Sequence, residues 1–428
     1  MNSSYFFLPQ QDMPDSWYNI VSDLPEELPA DIDDNTDGGS KIEMMKSIRA
    51  KELNRQDECK DRFIKIPDEV KEKYLQVGRP TPLMRAYELE KYLDTPAKIY
   101  IKREDFMPTH SFKINSAIAQ TYYVKKENYK GVVSETGAGQ WGLALSYAAS
   151  MYGLDVNFFW VKVSKEQKPL RANWSNLFGA NIIDSPSTIT NTGRKILEED
   201  PNCPGSLGIA IGEAIEYARE HPEYAYVSGS NLTHVILHQT IIGMELKKQL
   251  QAIGVKPDTF VACCGGGSNL GGFMGPFFFD EEFNKGTKFL AAESDAAPRL
   301  TKGTYKYDVA DPYGNTPMVK SYTLGHDFVP VANHVGGLRQ HNGSPIIGML
   351  RSKGILDAQA FSQEEALTAG SLFSKLYGVL PAPESSHALR ATIEQALVAK
   401  KENKPRTIVM CMSGNGVLDM SAYNTLKK

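Results

Sequence analysis

A chain of 428 residues with 41% hydrophobic and 23% charged residues has the balance of a globular protein with room for two domains and a large core. Its formal charge of -4 gives no field for nucleic acid or an anionic membrane surface, and no apolar run reaches the length of a bilayer-spanning helix. No Lys or Arg precedes Lys41, so a basic signal or transit peptide is not expected, and five scattered cysteines without CxxC spacing predict reduced, buried thiols, a cytoplasmic setting and no metal site.

Residues 1–78 read as an irregular, acidic, proline-containing lead-in with a helical stretch near 43–61. From Ala97 onward strands and helices alternate: strand 98–102, helix 114–127, strand 131–134, helix 142–152, strand 156–163, helix 170–178. Helical patterns follow over 234–251, 362–377 and 384–400, and short apolar strands over 259–264, 289–293 and 407–412. Such alternation predicts an α/β fold of βαβ units, with mostly parallel sheets covered by helices on both faces. The stretch 297–344, rich in Gly, Pro and Tyr, reads as a long functional loop.

Ligands of α/β folds sit beyond the carboxyl ends of the strands, and four notable segments fall there. In the first, Lys113 stands at a helix start, where backbone N–H groups disfavour a cation and lower an amine's pKa, which suits imine chemistry. Alone, it reads more readily as a solvated surface charge, as most lysines are. In the second, Glu135-Thr136-Gly137-Ala138-Gly139-Gln140 carries an acid at a strand end and a turn whose N–H groups can nest a carboxylate; a capped tight turn is the plain alternative. The third, Gly265-Gly266-Gly267-Ser268-Asn269 between a strand and a helix, lets a backbone approach a phosphate closely but lacks the Lys-Ser/Thr of a nucleotide loop. The fourth, Ser413-Gly414-Asn415-Gly416, places a hydroxyl after the last strand.

Together and in this order, these segments resemble the β chains of tryptophan synthase, in the fold type II group of pyridoxal-phosphate enzymes, and especially the family's second, divergent branch. Further shared landmarks are Arg79-Pro80-Thr81-Pro82-Leu83, Leu237-His238-Gln239-Thr240, Tyr322-Thr323-Leu324-Gly325-His326-Asp327 and Pro383-Glu384-Ser385-Ser386-His387. The resemblance implies two three-layer domains with mostly parallel sheets: a larger cofactor domain from 79–111 and 236–428, a smaller domain from 112–235 with a mobile part that closes on substrate, and an extension, 1–78, packed on the core. It implies that Lys113 holds pyridoxal 5'-phosphate as a Schiff base and moves the α-proton, with Glu135 as the acid/base for the leaving group and nucleophile. Thr136, Gly137, Ala138, Gly139 and Gln140 would hold the substrate carboxylate, and Gly265, Gly266, Gly267, Ser268 and Asn269 the cofactor phosphate. Ser413 would bond the pyridine nitrogen, a weaker electron sink than an Asp partner gives, while Asn115 and Glu384 would lie at the cofactor. The implied partners are a small amino-acid substrate and a second copy in a homodimer; a monovalent cation and an α-type subunit stay open.

The departures cluster at the site. His110-Ser111-Phe112-Lys113 stands where the family usually has Gly-Ser-His-Lys, and Ser-Phe-Lys is typical of serine/threonine dehydratases in the same fold group. Gln340, Asn342 and Asn415 also break the pattern, and Arg339 stands where the main branch has an Asp. A guanidinium there suits an anionic leaving group such as the phosphate of O-phosphoserine; a pair with Asp327 that holds a loop is the alternative. The expected reaction is β-replacement on serine or an activated serine, with indole the default nucleophile. Elimination to pyruvate and ammonia, or replacement by another nucleophile, is the alternative. A binding protein without catalysis is disfavoured by Lys113, Glu135 and Ser413 standing together.

Overall fold

The computed structural model describes residues 4–33, 39–311, 314–331 and 333–426. Apolar runs such as Thr259–Cys263 are buried at every position, because helices cover both faces of a parallel sheet. That strand lies inside a seven-stranded sheet of order Tyr5–Phe6, Leu83–Arg85, Lys98–Arg103, Thr407–Met412, Thr259–Cys263, Lys288–Ser294, Asp357–Phe361. Leu83–Arg85 runs antiparallel to both neighbours, and the five strands beyond it are parallel. A second sheet, Asn181–Ser185, Asp155–Val161, Gly131–Thr136, Tyr224–Tyr226, is parallel throughout. Aromatic packing welds the larger sheet to its helices: Phe260 stacks on Phe289 at 5.5 Å, and Phe273 and Phe277 of helix Ser268–Phe278 close on it at 5.7 and 4.5 Å.

The structure refines several expectations. The lead-in is less irregular than it reads: Tyr5–Phe6 joins the larger sheet, Ser16–Tyr18 pairs with Phe63–Lys65, and the helical stretch is two helices, Lys41–Ser47 and Lys51–Glu58. The helix expected over 234–251 breaks at Thr240, whose hydroxyl bonds the Leu237 carbonyl and accepts the Tyr18 amide. The stretch 297–344 is not one long loop. It holds helix Arg299–Lys302, a hairpin of Thr304–Asp308 with Val319–Thr323, and a tight turn at Gly336–Leu338. All five cysteines are free, but only Cys263, Cys264 and Cys411 are buried; Cys59 and Cys203 are half-buried. No described helix is long and apolar enough to cross a membrane.

A buried ionic cluster ties the approach to strand Leu83–Arg85 and the end of strand Lys98–Arg103 to helix Ile241–Ala252. Arg79 bonds Glu104 at 2.9 Å and Glu245 at 2.8 Å, and Lys102 shares Glu245 at 2.8 Å. Breaking such a cluster at one partner costs roughly 3–5 kcal/mol.

Candidate active site

Three adjacent strands of the larger sheet deliver one wall of the site. Lys98–Arg103 leads to Lys113, Thr407–Met412 to Ser413, and Thr259–Cys263 to the glycine loop. The lysine turn is locked to the last turn: the Phe112 amide donates to the Ser413 carbonyl at 3.0 Å, and the Asn415 amide to the His110 carbonyl at 2.9 Å. His110 takes a left-handed φ of 57°, a conformation a glycine holds more cheaply. Lys113 caps helix Ile114–Lys126, and its Nζ donates to the Gly229 carbonyl at 2.6 Å. Burial, rather than the helix end, pushes its ammonium down to about 8, against the charges of Glu384 and Glu135.

The glycine loop is a cradle kept open by missing side chains. A Cβ on Gly266 would meet the Gln340 amide oxygen at 2.5 Å, and one on Gly265 would strike the Gly337 carbonyl. Gly267, at φ +118°, turns the chain into the 11-residue helix Ser268–Phe278, whose first amides can receive an anion. Ser413 Oγ lies 2.8 Å from Ser385 Oγ and 3.4 Å from Cys263 Sγ. Glu384 accepts the Gly337 amide through Oε1 at 2.9 Å, while its buried Oε2 has no partner.

The smaller sheet supplies the opposite wall. Glu135 and Thr136 end strand Gly131–Thr136. Burial raises the Glu135 carboxyl to about 7, and the Tyr226 hydroxyl, which donates to Oε2 at 2.9 Å, opposes that rise. Thr136 Oγ1 accepts the amides of Gly139 and Gly142 at 3.1 and 3.3 Å, so part of the expected carboxylate nest is spent inside the turn.

These parts enclose a small cavity of about 90 Å³, lined by Lys113, Glu135, Thr136, Gly137, Ala138, Gln140, Gly265 to Asn269, Glu384 and Ser413. Glu135 also lines a larger cavity of about 960 Å³ that reaches Met45, Arg49, Asp57, Tyr226 and Arg339. Three expected residues lie elsewhere. Asn115 is committed to the ionic cluster, bonding Arg79 at 2.7 Å and Gln239 at 3.0 Å. Gly139 faces away from the small cavity, with the Trp160 ring against the place a Cβ would occupy. Arg339 belongs to the larger cavity. It does not pair with Asp327, whose side chain is 92% exposed and lies 3.6 Å from the His326 ring; among the described residues its Nη2 reaches only the Pro330 carbonyl at 3.4 Å, and its buried Nε is unpartnered.

Sequence reading missed Tyr226 and the Gly229 carbonyl, which carry no local signal, and Ser385, which sits inside a quoted landmark. The set present fits pyridoxal phosphate: a lysine of lowered pKa, a side-chain-free cradle at a helix start, a hydroxyl, and an unpartnered carboxylate oxygen at Glu384, all on one cavity.

Comparison with known proteins bears on the chain as a whole. The profile of the pyridoxal-phosphate dependent enzymes matches residues 74–414. The chain is 51% identical over 416 residues to tryptophan synthase β chain 2 of Thermotoga maritima, covering 97% of this chain and 98% of that one. It is 48% identical over 416 residues to tryptophan synthase β chain 1 of Sulfurisphaera tokodaii, with the same coverage. Among solved structures, the processed threonine deaminase isoform 2 of Solanum lycopersicum superposes with a TM-score of 0.62 at 17% identity, covering 94% of this chain and 97% of that one. Serine racemase of Dictyostelium discoideum gives 0.57 at 18% identity, covering 87% and 99%. Likeness at that identity establishes the fold type II architecture alone.

Proposed function

The chain belongs to the tryptophan synthase β family of pyridoxal-phosphate-dependent enzymes, and from that premise we propose that it replaces an anionic β-substituent of a serine derivative, O-phosphoserine being the simplest, with indole as the default nucleophile. The observation that carries this reading is Arg339, a guanidinium on the wall of the larger cavity with no carboxylate to neutralise it among the described residues.

Bound at Lys113, pyridoxal phosphate supplies the electron sink for chemistry at the α- and β-carbons of an amino acid. The residues of this chain do the rest. Gly265, Gly266, Gly267, Ser268 and Asn269 would hold the phosphate, and Ser413 and Glu384 would flank the ring. With an amine lowered to about 8, Lys113 can take and return the α-proton near neutral pH. Gly137, Ala138 and Gln140 offer the substrate carboxylate its contacts, and Thr136 holds their turn in shape. Glu135 stands between the two cavities. Protonated, it can assist a departing β-group; ionised, it can orient a nucleophile that arrives through the larger space.

Arg339→Ala tests the donor. Charge-assisted hydrogen bonds contribute about 1.5–3 kcal/mol, so the preference of kcat/KM for O-phosphoserine over serine should fall by roughly 10- to 100-fold. An equal fall with both donors makes Arg339 structural and removes the anionic-donor reading. Tryptophan as the main product with indole supports replacement, whereas pyruvate as the only product would establish elimination instead.

Tyr226→Phe tests the tuning of Glu135. The groups facing that carboxylate are the Tyr226 hydroxyl, Lys113 and Arg49. Loss of the hydroxyl removes a donor to the charged form, so the Glu135 ionisation rises further. The acid limb of kcat/KM should therefore move to higher pH by about one unit. A limb that stays in place would mean that the hydroxyl only fills space.

A further inference from the structure

Arg299 is 1% exposed, yet no carboxylate lies within ion-pair distance of it among the described residues. The nearby Glu293 feels the charge of Arg299 but spends its oxygens on the amides of Leu300 and Thr301 at 2.8 and 3.0 Å. The guanidinium instead forks onto one backbone oxygen, the carbonyl of Gly265: Nη2 donates at 2.6 Å and Nε at 3.1 Å, and Nη2 also reaches Cys264 Sγ at 3.4 Å. Nη1 is buried without a partner. Room for the group exists because residue 343 is glycine; a Cβ there would stand 2.5 Å from Nη2 and 2.7 Å from Nη1.

Gly265 opens the cradle, and its carbonyl direction sets the cradle's shape. In a planar trans peptide, the N–H of one residue points opposite the C=O of the residue before it. Holding the Gly265 carbonyl on Arg299 therefore fixes the Gly266 N–H. The next carbonyl, Gly266, accepts the Ser344 amide at 2.9 Å, which fixes the Gly267 N–H in the same way. The cradle has no basic residue of its own, and Lys113 and His110 are the only basic side chains lining the small cavity. A dianionic phosphate at residues 265–269 would thus face amides and a helix start, with the Arg299 guanidinium behind the loop.

We infer that Arg299 is the built-in cation of the phosphate cradle: seated on the Gly265 carbonyl, it orients the Gly266 amide and balances the phosphate charge, so cofactor retention does not depend on an added monovalent cation. Arg299 is a positioning residue, since it acts through the loop rather than by touching the ligand. The inference rests on assigning the phosphate to residues 265–269.

The test is the affinity for pyridoxal phosphate and for phosphate-free pyridoxal, both read by the visible absorbance of the bound cofactor, in wild type, Arg299→Lys and Arg299→Met. Wild type should bind pyridoxal phosphate equally in sodium, potassium and tetramethylammonium buffers. Arg299→Met should lose at least tenfold in pyridoxal phosphate affinity and little for pyridoxal. Guanidinium or potassium ions should restore part of that loss, and Arg299→Lys should fall between. If Arg299→Met does not fold, Gly343→Ala, which keeps the charge but displaces it, reads the same ratio. Equal losses for both ligands, or no loss, would overturn the proposal, as would a wild-type requirement for potassium. Ser268→Asp checks the assignment separately: if it leaves the discrimination between the two ligands unchanged, the phosphate is not in this loop, and that assignment fails independently of the role of Arg299.

Discussion

Lys113→Met is expected to abolish turnover and the visible absorbance of the bound cofactor, while raising the thermal stability of the cofactor-free protein. The two effects share one cause. Burial lowers the ammonium from its usual value to about 8, so at pH 7 about a tenth of the amine is neutral; at an ordinary lysine pKa that fraction would be about 300-fold smaller. The same shift is a folding penalty. A lysine whose folded pKa lies below its unfolded one opposes folding fully below the folded pKa, and the penalty fades as pH rises toward the unfolded value. The window here is about pH 8 to 10.5, and the penalty at neutral pH is up to roughly 3 kcal/mol. Methionine carries no charge and fills similar space, so the variant should melt above cofactor-free wild type at pH 7 and lose that advantage near pH 10.5. Scanning calorimetry at the two pH values checks the sign. A variant that keeps the absorbance would remove Lys113 from the chemistry, and a variant that melts lower at both pH values would show that packing, not charge, dominates there.

What could be read in advance follows from the range of the interactions involved. Strands such as Gly131–Thr136 and Thr259–Cys263 were legible because both faces are buried and the apolar run is continuous. The short strands Leu83–Arg85 and Tyr224–Tyr226 were not, since three residues carry too little pattern. The hairpin within 297–344 was hidden by its composition: the stretch 304–307 alternates exposed and half-buried residues, and the Gly and Pro residues cluster around its connection. At the site, the glycine cradle and the lysine turn gain their meaning only together and in order, since a lone lysine at a helix start reads as a surface charge. Tyr226 carries no local signal, because it meets Glu135 across 91 positions. Arg299 likewise carries no local signal, because Gly343, which makes room for it, and Gly265, which receives it, lie 44 and 34 positions away.

Glu135→Gln should retain cofactor and lose turnover, and the size of the loss should depend on the leaving group. Glutamine keeps the shape, and its amide oxygen can still accept the Tyr226 hydroxyl, so the cavity walls should stand. What disappears is a proton that can be given and taken back near pH 7, which typically contributes about 10²- to 10⁴-fold. Serine must expel its oxygen as water and needs that proton; the phosphate of O-phosphoserine departs as a stable anion and needs it less. The rate with serine should therefore fall toward the upper end of that range and the rate with O-phosphoserine toward the lower end. The stability should shift as well. A carboxyl raised to about 7 by burial penalises the folded state increasingly as pH rises above the ordinary glutamate value, and the penalty is complete above about 7. The glutamine variant lacks this penalty, so it should gain on wild type as pH rises from about 4.5 through 7. Unchanged steady-state rates with both donors would make Glu135 a turn residue. Equal losses with both would mean that its work lies after the leaving group has gone, in orienting the nucleophile.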